Sequence, residues 1–258
     1  MITSSSSAKL KMIRQLNTKA KARREAGCFV LEGKKLFEET PPSLRRGVFM
    51  SESFVKENPE IYVAGACDTE IVADRLFASV CDTKTPQGIL TVAAFPKWNL
   101  ADLTEGPGEP LILVLESVQD PGNVGTIIRT GEGAGVTGIL LGEGCADLYS
   151  PKVIRATMGS IFRVPTVRAA DLSAAIRKLG AYGVRSFAAH LDGKNEYTEE
   201  DYRKGTAFLI GNEGNGLSDE LTDEADCLIR IPMEGRVESL NASVAASLLM
   251  YEARRQRH

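Results

Sequence analysis

Residues Ile231–Arg255 read IPMEGRVESLNASVAASLLMYEARR, and the fold turns on how this stretch divides. The apolar run 227–233 predicts a buried strand whose ladder ends at Pro232, a residue with no N–H to donate. A polar turn follows at Glu234-Gly235-Arg236, and Ser239-Leu240-Asn241 lead into an Ala-rich helix that runs to Arg255. Two roles are open to Ser239 and Asn241: side-chain oxygens that satisfy free N–H groups at the helix start, or polar groups of a site at a strand end. In the helix, Ala242, Ala245 and Ala246 stand beside Val244, Leu248 and Leu249. Small residues there let another backbone approach, from a chain crossing or a second subunit; an ordinary core helix is the plain alternative.

The strand, polar loop and helix succession occurs twice more upstream. From Leu111 onward, strands are predicted at 111–115, 138–141, 164–167, 186–191, 206–210 and 227–231, and helices at 121–133, 151–160, 171–182, 218–226 and 241–255. Such alternation gives an α/β fold with a largely parallel sheet covered by helices on both faces. Ligands of these sheets bind outside the carboxyl ends of strands, so the loops that follow strands matter most.

One such loop, Glu116–Gly135, reads ESVQDPGNVGTIIRTGEGAG. Asp120 before Pro121 predicts an N-cap, with Asn123 beside it, and Val124, Ile127 and Ile128 form the buried stripe. Arg129 falls outside that stripe, and Gly125 on its face leaves room for a substrate backbone or for plain solvent. A second loop, Leu209–Glu220, reads LIGNEGNGLSDE. Gly211, Gly214 and Gly216 allow a tight turn whose exposed N–H and C=O groups can hold a polar heterocycle, with Glu213 as the ionisable group among them. Gly133–Gly138 (GAGVTG) fits the dinucleotide fingerprint, but a helix precedes it and a strand follows, the reverse of the required order.

Residues 96–110 (PKWNLADLTEGPGEP) lack periodicity and suit a linker between a smaller mixed α/β unit, 9–95, and a larger one, 111–258. Residues 1–8 are expected to be a disordered leader. The smaller unit is predicted to hold a basic helix, strands at 28–32, 47–50, 61–64, 69–72 and 88–94, and helices at 34–40 and 73–80. Net charge over the 258 residues is only −3, yet Lys9, Lys11, Arg14, Lys19, Lys21, Arg23 and Arg24 face the single acid Glu25 within one short segment. That run suits contact with RNA phosphates through counterion release. Leu10, Ile13 and Leu16 at helical spacing equally suit a solvated amphipathic helix. Cys28, Cys67, Cys81, Cys145 and Cys227 stand singly, and His190 and His258 lie far from any pair, so neither a metal site nor a disulfide framework is expected. A reducing cytoplasm without a membrane partner fits this pattern, as no apolar run approaches spanning length.

Taken together, DPGNVGTIIRT, LIGNEGNGLS and IPMEGRVESLNASVAASLLMYE resemble the three signature motifs of the SpoU (TrmH-type) RNA ribose methyltransferases of the SPOUT class, in order and in context, over 111–255. The 9–95 unit more loosely resembles the ribosomal-protein-like substrate-binding domain that accompanies them. The resemblance implies methyl transfer from S-adenosylmethionine to a ribose 2′-hydroxyl, a deep trefoil knot in the C-terminal domain, and a homodimer. It places catalytic roles on Asn123, Arg129, Glu213, Ser239 and Asn241, and donor contacts on Gly211, Ile231 and Leu240. A guanidinium with a pKa above about 12 is a poor general base. Arg129 is therefore expected to hold the neighbouring phosphate and stabilise the developing oxyanion, with Asn123, Ser239 and Asn241 orienting the ribose. Glu213 is expected to organise the loops. The basic helix and extra unit favour rRNA, and the expected target is a ribose of 23S rRNA, a guanosine among the candidates; a tRNA 2′-O-methyltransferase and a non-catalytic RNA-binding ribosome factor are the alternatives.

Overall fold

The computed structural model describes residues 1–62, 69–236 and 239–258. Cys67, the end of the strand expected over 61–64, and Val237 and Glu238 of the third loop lie outside them. The chain groups into two compact units, 1–97 with 147–162, and 98–146 with 163–258.

The first unit runs α1 (Ala8–Thr18), α2 (Ala20–Ala26), β1 (Cys28–Glu32), α3 (Lys34–Glu39), β2 (Arg45–Ser51), α4 (Glu52–Glu57), β3 (Thr69–Val72), α5 (Asp74–Ala78) and β4 (Ile89–Ala94). Its sheet has the order β1-β4-β2-β3, with β4 antiparallel to both neighbours and β3 parallel to β2. Leu10, Ile13 and Leu16 of α1 bury their stripe against Val30, Leu90 and Val92 of the sheet. The one basic helix expected from sequence is two, because Lys19 adopts an extended backbone (φ −122°, ψ 113°) between α1 and α2.

The expected leader meets the sheet edge at Ile2. The Ile2 N–H donates to the Ile71 carbonyl at 2.7 Å, and the Ala73 N–H donates to Ile2 at 3.1 Å. An exposed sheet edge offers such unpaired groups to any short strand, and the Ile2 side chain packs on the unit's core. Residues 147–162 belong to this unit too, through a helix, Pro151–Thr157, that packs on β1. Tyr149 stacks on Phe95 with ring centroids 3.9 Å apart, and Arg155 pairs with Asp82 at 2.6 Å.

The second unit contains β5 (Leu111–Leu115), α6 (Pro121–Ala134) and β6 (Gly138–Leu141); the Pro151–Thr157 helix counts as α7 in chain order. Then follow β7 (Thr166–Arg168), α8 (Leu172–Ala181), β8 (Arg185–Ala189), β9 (Asn195–Glu196), β10 (Thr206–Ile210), α9 (Asp219–Asp223), β11 (Cys227–Arg230) and α10 (Ala242–Arg257). Seven strands pair in the order β7-β6-β5-β10-β8-β11-β9, every neighbouring pair parallel. This is the α/β parallel sheet that the alternation predicts. Its central strands β5 and β10 are buried along their whole length, which is why they read as unbroken apolar runs.

The stretch expected to be a linker is docked. Leu103 is fully buried, its carbonyl accepts from Thr137 Oγ1 at 2.7 Å, and its side chain lies so close over Gly138 that a Cβ there would fall 2.3 Å from Leu103 Cγ. At the other end of the unit, α10 packs on α6, β10 and β5. The Arg257 guanidinium fixes the far end of that helix by donating to the carbonyls of Glu109, Tyr202, Lys204 and Pro110 at 2.7, 2.8, 2.7 and 3.0 Å. Burial holds the Arg257 guanidinium below its usual pKa, against the opposing pull of Glu109. Among the described residues no helix is long and apolar enough to cross a membrane.

Candidate active site

Because all strands of the larger sheet run parallel, their carboxyl ends share one edge. β5 lies beside β10 with Leu115 opposite Ile210, so the loops starting at Glu116 and Gly211 emerge side by side. The third loop starts at Ile231 after β11, which is separated from β10 by β8. The helix that follows it, α10, nevertheless packs on α6, β10 and β5.

Side chains from all three loops then join in one hydrogen-bonded relay. Asp120 caps α6 by accepting from the Asn123 N–H at 2.9 Å, which fixes the Asn123 backbone at the first turn. Asn123 Nδ2 donates to Glu213 Oε1 at 2.8 Å, while Glu213 Oε2 accepts from the Gln119 N–H at 3.5 Å. Asn241 Nδ2 donates to Asn123 Oδ1 at 3.0 Å. The oxygen of the same amide, Asn241 Oδ1, accepts from Ser243 N–H at 2.9 Å, Val244 N–H at 3.4 Å and Ser243 Oγ at 2.7 Å. Asn241 thus caps α10 with one atom and joins the relay with the other. The carboxylate at one end and the helix cap at the other fix both amide orientations, since neither end can supply the opposite polarity.

The glycine loop is held by residues outside the set expected from the motifs. Asn212 Nδ2 donates to the Ser117 carbonyl at 2.8 Å, and Asn212 Oδ1 accepts from the N–H groups of Gly214 at 2.8 Å and Asn215 at 3.1 Å. Glu116 spans to the far side of the turn, accepting from Ser218 N–H and Ser218 Oγ, both at 2.7 Å. Gly211 faces the returning chain so closely that a Cβ would fall 2.1 Å from Gly216 C and 2.3 Å from Leu217 N. The requirement here is space, as Gly211 is not among the positive-φ glycines while Gly216 is (φ 71°). An Asn beside a strand-ending glycine, within a glycine-rich turn, was the available signal for Asn212.

The other expected residues stand apart from the relay. Arg129 is exposed and has no hydrogen bond or ion pair among the described residues. Gly125, expected on the open face beside it, is buried. Ser239 is exposed, and Ile231 and Leu240 are half-buried. The amides and carbonyls of a glycine turn, with half-buried apolar side chains at Ile231 and Leu240, suit an adenosyl group, a polar heterocycle with an apolar face.

Six of the seven basic residues of the N-terminal segment keep some exposure, and Lys11, Lys19, Lys21 and Arg24 are the most open. Lys9 pairs with Glu70 at 2.6 Å, and Arg14 donates to Ser79 Oγ at 2.9 Å. Arg23 needs correction as a phosphate contact. It is 5% exposed, donates to Asp147 Oδ2 at 3.0 Å from Nε and 2.5 Å from Nη2, and reaches the Leu16 carbonyl. Its charge is spent inside its own unit.

A sequence profile of the SpoU rRNA Methylase family matches residues 110–251, and one of the MRM3-like substrate binding domain matches residues 7–91. The chain is 34% identical, over 98% of its own length and 98% of the relative's, to the 23S rRNA (guanosine(2553)-2′-O)-methyltransferase RlmP of Bacillus subtilis (strain 168). It superposes with a TM-score of 0.87 and 35% identity, over 98% of this chain and 97% of the other, on an AdoMet-bound rRNA methyltransferase from Sinorhizobium meliloti. The SpoU methyltransferase AviRb from Streptomyces viridochromogenes, in complex with the cofactor AdoMet, gives a TM-score of 0.85 at 25% identity over 97% and 98% of the two chains. With a profile covering more than half of the chain and a relative matched nearly end to end, the chain belongs to the SpoU rRNA Methylase family.

Proposed function

We propose that this protein transfers a methyl group from S-adenosylmethionine to a ribose 2′-hydroxyl of 23S rRNA, a guanosine being the nucleotide that its relative's name favours. The observation that carries the reading is the relay Glu213–Asn123–Asn241, which draws three sequence-distant loops to one sheet edge while Arg129 stays uncommitted. When bound, the donor supplies an electrophilic methyl on a sulfonium. Gly211, Ile231 and Leu240 would hold it. The transfer is an in-line displacement, so positioning and exclusion of water contribute most of what the protein must supply.

Each remaining role follows from what a side chain already does. Glu213 is engaged with Asn123 and Gln119 and serves to order the loops. Asn123 and Asn241 each keep one N–H beyond the relay for a ribose oxygen. Arg129 offers a planar fork of donors, suited to two oxygens at once, for the phosphate next to the target and for the hydroxyl oxygen as it gives its proton to solvent and the donor leaves as the neutral thioether S-adenosylhomocysteine. Lys11, Lys19, Lys21 and Arg24 supply phosphate contacts in the substrate-binding unit, with Lys9 and Arg14 beside them.

The trefoil knot and the homodimer belong to the same proposal. β8 stands between β11 and β10, yet the helix after β11 packs on β10, β5 and α6, and this order supports a threaded crossing. Val244, Leu248 and Tyr251 expose 47, 38 and 49% of their surface on one side of α10, and with Thr126 and Tyr197 they line a groove that a second copy would cover. The free thiols Cys28, Cys81, Cys145 and Cys227 fit a reducing cytoplasm.

The test is tritiated methyl transfer to 23S rRNA and to tRNA, followed by mapping of the product. Label on a 2′-oxygen of 23S rRNA is expected. Arg129→Lys is expected to reduce turnover by about 10²-fold, in line with loss of an oriented donor to a developing oxyanion. Label on a base, or on tRNA alone, overturns the reading, and near-normal turnover of Arg129→Lys removes the fork from it.

A further inference from the structure

We infer that His190 is a donor-binding residue of the second unit, its Nε2–H donating to an acceptor atom of S-adenosylmethionine. No signature motif contains it. The inference rests on the donor site proposed above, and it starts from the strand order. β8 pairs with β10 on one side and β11 on the other, so the turn after β8 lies between the loops that begin at Gly211 and Ile231.

Register makes the placement specific. Ala188 stands opposite Leu209, and carrying that ladder forward by two residues sets His190 beside Gly211. On the other side Ala189 stands opposite Ile229, which sets His190 beside Arg230 and one step short of Ile231. Adjacent strands are about 4.8 Å apart, so the His190 backbone is a near neighbour of both expected donor-holding segments.

The turn is also tied to β11 through its backbone. The His190 N–H donates to the Ile229 carbonyl at 2.9 Å, and the Gly193 N–H donates to the His190 carbonyl at 3.1 Å. Gly193 packs so tightly on β11 that a Cβ would fall 2.5 Å from Ile229 C and 2.7 Å from Arg230 N. A residue presented from such a clamped turn loses little further freedom on binding.

The imidazole has one nitrogen engaged and one available. His190 Nδ1 accepts from the Asp192 N–H at 3.2 Å, with the Asp192 carboxylate 3.7 Å away. Nε2 has no partner among the described residues, and the side chain is 30% exposed. In the neutral form with Nδ1 accepting, and in the imidazolium, Nε2 carries a hydrogen. The open group is thus a hydrogen-bond donor, matched by the ring nitrogens, ribose oxygens and carboxylate of the methyl donor.

The test compares His190→Ala and His190→Gln with the wild-type protein in S-adenosylmethionine titration calorimetry and in steady-state methyl transfer to 23S rRNA. Loss of one such bond is expected to raise Kd and KM for the donor about five- to tenfold, leaving kcat at saturating donor and KM for RNA within twofold. His190→Gln, which keeps an N–H of similar reach, is expected to recover most of the affinity. The backbone clamp uses main-chain atoms, so both variants are expected to melt like the wild type. Donor affinity of folded His190→Ala within twofold of wild type overturns the inference, as does a glutamine variant no better than alanine or an effect confined to RNA. Failure of the wild-type protein to bind S-adenosylmethionine would instead overturn the function on which the inference rests.

Discussion

Replacing Asn241 by Asp separates the cap from the relay. The introduced carboxylate still accepts from Ser243 and Val244, so α10 keeps its cap, and a negative charge at a helix N-terminus adds about 0.5 kcal/mol. The donor to Asn123 Oδ1 at 3.0 Å is lost, and an oxygen takes its place against that oxygen. Losing the bond costs about 1 kcal/mol, and leaving two acceptors facing each other adds about 1 kcal/mol. The net loss is about 1–2 kcal/mol, or a fall in melting temperature of about 4 °C for a unit of this size. If the fault is polarity alone, reversing the other end repairs it. In Asn241→Asp combined with Glu213→Gln, the Asn123 amide can turn over, donating to the new carboxylate and accepting from the new amide. The double variant is expected within about 1 kcal/mol of wild type, a favourable coupling of about 1–2 kcal/mol. Thermal melts of the four proteins of the cycle give the answer. Losses that simply add would refute the relay and leave Asn241 a cap and nothing more.

Four further outcomes follow from the packing and the charges. Arg257→Ala removes four bonds to backbone carbonyls and is expected to destabilise the second unit by about 2–4 kcal/mol in chemical denaturation; a change under about 0.5 kcal/mol would show those carbonyls content with water. Gly211→Ala forces a methyl to 2.1 Å from Gly216 C, so the loop must move, and donor affinity by calorimetry is expected to fall at least about tenfold while α10, capped independently, keeps its helicity. Lys19→Ala with Lys21→Ala and Arg24→Ala is expected to flatten the salt dependence of RNA binding, by about 0.7 to 0.9 in log–log slope for each phosphate contact removed. Arg23→Met, in contrast, is expected to leave that slope unchanged and to lower stability, since its guanidinium is bound to Asp147.

Sequence reasoning reached furthest where one residue type has one physical use. Strands β5, β6 and β10 begin and end where expected, because unbroken apolar runs bounded by Pro and Gly have few other solutions. The Asp120 cap before Pro121 is equally local. What escaped was decided at long range. Glu213 and Asn123 are 90 residues apart and Asn123 and Asn241 are 118 apart, so their bonding follows from strand order, which periodicity does not encode. Arg23 looks like its basic neighbours until Asp147, 124 residues later, arrives beside it. Two-residue β9 carries no alternation to detect, and the break at Lys19 leaves no proline or glycine as a mark. The stretch 96–110 read as a linker because a single buried leucine, Leu103, has no period.

The assignment of residues 147–162 to the first unit bears on how this protein can be taken apart. A chain cut between Lys97 and Trp98 would lose the surface on which Tyr149, Ile154 and Phe162 are seated, and the catalytic fragment would display those side chains to water. The N-terminal fragment would in turn lose the acid that neutralises its buried Arg23. Each half is expected to be sticky or poorly folded when made alone. For the same reason, an insertion or deletion between β6 and β7 is a change to the first unit, although it falls in the middle of the methyltransferase sequence. Evolutionary shuffling of the two units as beads on a string is hindered by this one exchanged segment.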